Sequence, residues 1–175
     1  TLLVTDDGVA FEAAPDAGMS ALWSRGDNGW TEGLCMTDRV IKNTWEVLSP
    51  LNVITAERGL DSHEFLSDDR KLQRSRFGDV TITVTYDKPA EVDGVRLPPY
   101  GFVVESPTFV AFCATKYNGI EYGSPVLFTA RSLDGKPIAQ SSQVRIYHGF
   151  GDSRIRLGGR TLEVQRESVV SMVGE

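Results

Sequence analysis

One α-helix followed by an antiparallel β-sandwich is the mainly β architecture that this sequence predicts, and three observations carry it. Two-residue turn signals recur between alternating segments, at Asp93-Gly94, Asn118-Gly119 and Gly158-Gly159. Residues 80–86 alternate with period two, Val80, Ile82, Val84 and Tyr86 against three threonines, as a strand with one core face and one wet face does. Pro98-Pro99 then imposes extended backbone and removes two N–H donors, so the chain must leave one strand there and enter another.

Taken in order, residues 1–36 form an irregular, acidic, Gly-rich segment. Its short apolar groups are cut by Gly8, Pro15, Gly18, Gly26, Gly29 and Gly33, too many breakers for a helix and too little alternation for long strands. Trp23 and Trp30 are its largest hydrophobes. The helix is expected to begin at Thr37 as N-cap, with Asp38 in the first turn where the macrodipole favours negative charge. Ile41, Trp45 and Leu48 fall at helical spacing, so that stripe is expected to lie on the sandwich or on a neighbouring domain; Pro50 ends the helix at Ser49 or kinks it on toward Ala56. A connector runs to residue 60, and the β-sandwich occupies 61–175.

Within the sandwich each turn fixes a register. Asp93-Gly94 sets Val92 against Val95 and Glu91 against Arg96; Asn118-Gly119 sets Tyr117 against Ile120 and Lys116 against Glu121. Gly158-Gly159 sets Ile155 against Leu162 and Arg154 against Glu163, so all three hairpins place opposite charges across the strands. Leu133-Asp134-Gly135-Lys136 is a fourth hairpin signal, with Pro137 implying an edge strand. Strands are also expected over 73–77, 126–131 and 144–147. Residues 102–104 and 109–114 are apolar at both alternating positions, which suits strands covered on both faces.

Composition narrows the function classes. A chain of 175 residues with 41% hydrophobic content can build a real core, and it holds no apolar run of membrane length and no signal-peptide pattern. Those features predict a soluble chain with no membrane partner. The net charge of −6 is concentrated in residues 1–36, where six acids face Arg25 alone, and this argues against a nucleic-acid module. Cys35 and Cys113 match no disulfide framework or zinc spacing, which leaves the compartment undetermined. The first residue is Thr1 rather than Met; the expectation is a piece of a longer polypeptide, since no nearby base serves an N-terminal threonine nucleophile.

No catalytic residues are assigned. Asp87, Asp93 and Asp134 sit in turns and Glu91, Glu121 and Glu163 sit opposite basic residues, which accounts for them without acid–base chemistry. His63 and His148 have no spaced second histidine and read as hydrogen-bonded structural residues. No cofactor is expected: Asp6-Asp7 and Asp68-Asp69 could offer oxygens to calcium, but neither shows the spaced acids of a recognisable loop. No Gly-x-Ser-x-Gly elbow is present.

A helix ending Trp-Glu-Val-Leu-Ser-Pro-Leu (45–51), then His-Glu-Phe-Leu (63–66), an alternating strand and Leu-Pro-Pro-Tyr-Gly-Phe-Val-Val (97–104) resembles the C-terminal β-sandwich region of bacterial glycoside-hydrolase-like proteins. The resemblance spans about residues 37–164. It implies an accessory domain whose parent's catalytic carboxylates lie outside this chain. Three functions follow as expectations. The first is a non-catalytic accessory sandwich, its two-faced apolar strands covered by a catalytic domain or partner chain. The second is an independent carbohydrate-binding module using Trp23, Trp30, Tyr117 or Tyr122 as stacking platforms. The third is a catalytic chain with an unrecognised site.

Overall fold

The structure, a computed structural model, describes residues 36–173. The segment before Met36, with Trp23, Trp30, Cys35 and Asp6-Asp7, lies outside them. Helix α1, Met36–Thr55, is followed by twelve strands. The chain divides into two compact units, Thr1–Leu48 and Ser49–Glu175.

Helix α1 runs through Pro50 to Thr55, the longer of the two outcomes that the proline allowed. Pro50 cannot donate to the carbonyl four residues back, yet the following turns close, with Ala56 N donating to Asn52 O at 2.8 Å. The Ile41–Trp45–Leu48 stripe is not buried within this chain. Val40, Asn43, Glu46 and Val47 are buried, while Ile41, Trp45 and Leu48 are exposed. Lys42 neutralises Glu46 one turn away at 2.6 Å, which lets a carboxylate occupy the buried side.

The β unit opens with β1 (Ser62–Phe65), β2 (Leu72–Phe77), β3 (Val80–Thr85), β4 (Ala90–Val92), β5 (Val95–Leu97) and β6 (Phe102–Glu105). It continues with β7 (Phe109–Tyr117), β8 (Ile120–Ser132), β9 (Val144–Phe150), β10 (Arg154–Leu157), β11 (Arg160–Glu163) and β12 (Glu167–Val170). The large antiparallel sheet has the order β1-β2-β3-β6-β7-β8-β9-β12, with β4 and β5 joined to it through β7. The hairpin β10–β11 forms a separate two-stranded sheet. Its Ile155 and Leu157, with Val95 and Leu97 of β5, join Val103, Phe112, Phe128 and Ile146 of the large sheet in one core cluster. The separate β10–β11 hairpin sharing one core cluster with the large sheet is the sandwich-like arrangement the turn pattern predicted.

All three hairpin registers are as expected: Val92 pairs Val95, Tyr117 pairs Ile120 and Ile155 pairs Leu162. The charges follow register only in the first, where Glu91 meets Arg96 at 3.3 Å. Because Arg96 also lies beside Lys116 across β5 and β7, Lys116 reaches Glu91 at 3.3 Å and Arg96 reaches Glu121 at 3.6 Å. Arg154 instead meets both oxygens of Asp152, with Nε donating to Oδ1 at 3.0 Å and Nη2 donating to Oδ2. The fourth signal is not a tight hairpin. The connection from β8 to β9 carries a 3-10 turn, Ile138–Gln140, and Asp134 organises it by accepting from Ser141 Oγ at 2.7 Å and Ser142 N at 2.9 Å.

Strand β3 departs from its alternation. Thr83 and Thr85 are buried, Ile82 and Val84 only half-buried, and Tyr86 exposed. The register explains this, since Thr83 lies opposite Val103 on the core-cluster face. Its hydroxyl accepts from Arg74 Nε at 3.2 Å and that of Thr85 donates to Lys88 O at 2.8 Å, so neither buries an unsatisfied oxygen. On the opposite face Phe102, Val104, Ala111 and Leu127 are also fully buried. Both faces of these apolar strands are buried, and an exposed apolar stripe lies on α1.

Candidate functional site

Carboxylates are the first place to look for chemistry, and most are held by local donors. Ser141 Oγ, ahead of Ser142 N, keeps Asp134 well below the usual carboxylate range. The Ser67 hydroxyl at 2.7 Å and Lys88 at 3.0 Å do the same for Asp69. Hydrogen bonds from Arg154 lower Asp152 to about 2, and Lys116 with Arg96 lowers Glu91. Donors of this kind stabilise the ionised form, which suits structural anchoring rather than proton transfer near neutrality. Glu105 is the exception: desolvation first, then the charge of Asp93, raises it. Yet Asp93 sits on the β4–β5 tip, paired with Arg74, and both acids are exposed, unlike the enclosed pair that glycoside hydrolysis needs.

Both histidines are anchored. His63 Nδ1 lies 2.9 Å from Ser75 Oγ, and its ring meets Phe65 edge-on. His148 stacks on Phe128 at 4.6 Å, and its Nδ1 donates to Gln165 O at 2.9 Å, since a carbonyl can only accept. Its Nε2, like the Tyr122 hydroxyl, is buried without a hydrogen-bond partner. Among the described residues no three His, Cys, Asp or Glu side chains converge on a metal position. Cys113 is a free thiol that burial pushes up to about 12, so near neutral pH it stays protonated and supplies little thiolate.

The proposed stacking residues separate into two groups. Trp23 and Trp30 lie outside the described residues. Tyr117 and Tyr122 are 3% and 7% exposed, and both belong to the core cluster, with Tyr117 stacked on Phe112 at 4.0 Å. A ring so enclosed offers no face to a sugar. The bulge of β7 between Ala114 and Lys116 shifts Tyr117 onto the core face of the sheet.

Two other tyrosines are in the open. Tyr86 is 48% and Tyr100 67% exposed. Thr85 N donates to Gly101 O at 3.0 Å, just beyond the last β3–β6 pair of Val84 with Phe102. Tyr100 has φ of +61°, a conformation rare for a bulky residue. The turn imposes it: Gly101 N donates to Pro98 O at 2.8 Å, and a Cβ on Gly101 would lie 2.6 Å from Pro98 Cδ and 2.9 Å from Cys113 O. Lys71, within electrostatic reach of Tyr100, pairs with Asp87, and Lys88 pairs with Asp69. Alternation assigned Tyr86 to the core; the signal against that was Asp87-Lys88-Pro89, which stops the strand.

Comparison of the chain with protein-family models, with curated proteins and with solved structures finds no match.

Proposed function

We propose that this chain is a non-catalytic accessory β-domain of a glycoside-hydrolase-like protein, packing against a catalytic domain outside it. The observation that carries the docking is on α1, where Ile41 and Trp45 are 62% and 65% exposed and Leu48 completes the same stripe. An aligned apolar stripe left in water is a recognised form of docking surface, and a large aromatic at its centre is the usual energetic anchor. The non-catalytic reading is supported by the carboxylates, whose donors and exposure leave no enclosed acid–base couple among the described residues. The type of parent is what the 37–164 resemblance implies.

The test has two parts. Purified chain is incubated with chromogenic glycosides and esters, and no turnover is expected; hydrolysis abolished by one Asp or Glu substitution in a folded variant would overturn the reading. A photo-crosslinking amino acid at position 45 is then activated in cells making the protein. The expected product links position 45 to a glycoside-hydrolase-type domain, and linkage only to the chain's own β unit would refute the docking.

A further inference from the structure

A single side chain ties the tip of the large sheet to the separate β10–β11 hairpin, and its amide is open to attack from within the chain. We propose that Asn118 is a self-modification site, where the nitrogen of Gly119 converts that amide to a carboxylate and so loosens the hairpin. Asn118 and Gly119 are the exposed central residues of the β7–β8 turn, with φ of +47° and +80°. Asn118 Nδ2 donates to Arg156 O of β10 at 3.0 Å, which forms the tie. Gly119 N–H makes no hydrogen bond among the described residues, and a Cβ added at Gly119 would meet only Arg156 Nη1, at 3.8 Å. The nucleophile is therefore unencumbered, and glycine places no side chain in the way of its approach to the Asn118 amide carbon.

Water is the sole co-reactant. Gly119 N loses its proton and bonds to Asn118 Cγ, the Cγ–Nδ2 bond breaks, and the amide nitrogen leaves with that proton as ammonia. Water then opens the cyclic imide at either carbonyl, giving an aspartyl or an isoaspartyl residue. Both products remove the tie. A carboxylate is acceptor-only, so it cannot donate to Arg156 O. The isoaspartyl form also carries the main chain through Cγ, which adds one carbon to a two-residue turn whose length fixes the pairing of Tyr117 with Ile120. The Arg156 guanidinium lies beside the turn and can meet the new carboxylate, but an exposed ion pair offsets little of the loss.

The test incubates the full chain in warm, mildly alkaline heavy-oxygen water and maps it by peptide mass spectrometry, with the urea-unfolded chain as the reference for the intrinsic rate. Asn118 is expected to convert in the folded chain, with heavy oxygen in the product and both isomers resolved. Asn43 and Asn52 of α1, followed by Thr and Val, should keep their amides over the same time. Hydrogen exchange of the Arg154–Glu163 amides should then be faster by about two- to tenfold, the loss of one net hydrogen bond, while β1 and β2 exchange as before. Asn118→Asp and Asn118→Gly should show that acceleration from the start. Asn118→Gly suits the positive φ of the turn and has no amide to lose, so its exchange should not change with incubation. An Asn118 that keeps its amide as long as Asn43 and Asn52 do would overturn the proposal. So would conversion, or either variant, that leaves Arg154–Glu163 exchanging at the parent rate, because the tie would then hold nothing.

Discussion

Replacing Trp45 with Ala separates docking from packing, because the two roles move different measurements. Truncating a fully buried large aromatic costs about 3–5 kcal/mol. Trp45 keeps 65% of its surface in water, so only about a third of that cost, roughly 1–2 kcal/mol, is expected in the isolated chain. For a protein of this length about 1 kcal/mol moves the melting temperature by about 2–4 °C, which gives a drop of about 3–6 °C. Phe112→Ala is the internal reference: that ring is fully buried and stacked on Tyr117, and its loss should lower the melting temperature by about 10 °C or more. Against the domain captured from position 45, Trp45→Ala should weaken association by about 30-fold, the value of an anchor worth about 2 kcal/mol. Calorimetry on the two variants and titration of the captured domain read both numbers. A Trp45→Ala chain that melts as low as Phe112→Ala would show the ring to be core. Unchanged affinity for the partner would show the stripe to be idle.

Two further outcomes follow from the titrating groups. The folded pKa of Asp152 is about 2 against an ordinary 3.8, so its pair with Arg154 stabilises the fold above about pH 4 and that contribution is lost as pH falls toward 2. Urea midpoints measured from pH 5 to 2 should therefore fall less steeply for Asp152→Asn, and parallel curves would refute the assignment. In a Cys35→Ser background Cys113 is the sole thiol; with burial holding it near 12, a disulfide reagent at pH 8 should label it only after denaturation. Rapid labelling of the native chain would contradict its burial.

The sequence by itself determined the local elements. Asp-Gly, Asn-Gly and Gly-Gly pairs specify turns whose two central residues take positive φ, and φ at Asp93, Gly94, Asn118, Gly119, Gly158 and Gly159 is positive as that chemistry requires. With the turn fixed, the pairing of every residue in the hairpin is fixed, and the three registers were legible without knowing any tertiary contact. The two-faced burial of Phe102, Val103 and Val104 was legible in the same way.

What only the tertiary structure decided is which face of an element meets the core and which long-range neighbours it has. Helical spacing marked Ile41, Trp45 and Leu48 as one stripe, but Val40 and Val47 are the apolar residues buried. Period-two alternation on β3 favoured the aliphatic face, but pairing with β6 set Thr83 beside Val103 in the core, where Arg74 satisfies its hydroxyl. Tyr117 and Tyr122 are as aromatic as Tyr86 and Tyr100. A bulge in β7 and the end of β3 separate the enclosed pair from the exposed one. Composition and spacing describe each residue relative to its chain neighbours. Exposure depends on side chains that sheet pairing brings from distant positions, and those contacts exist only once the sheet has formed.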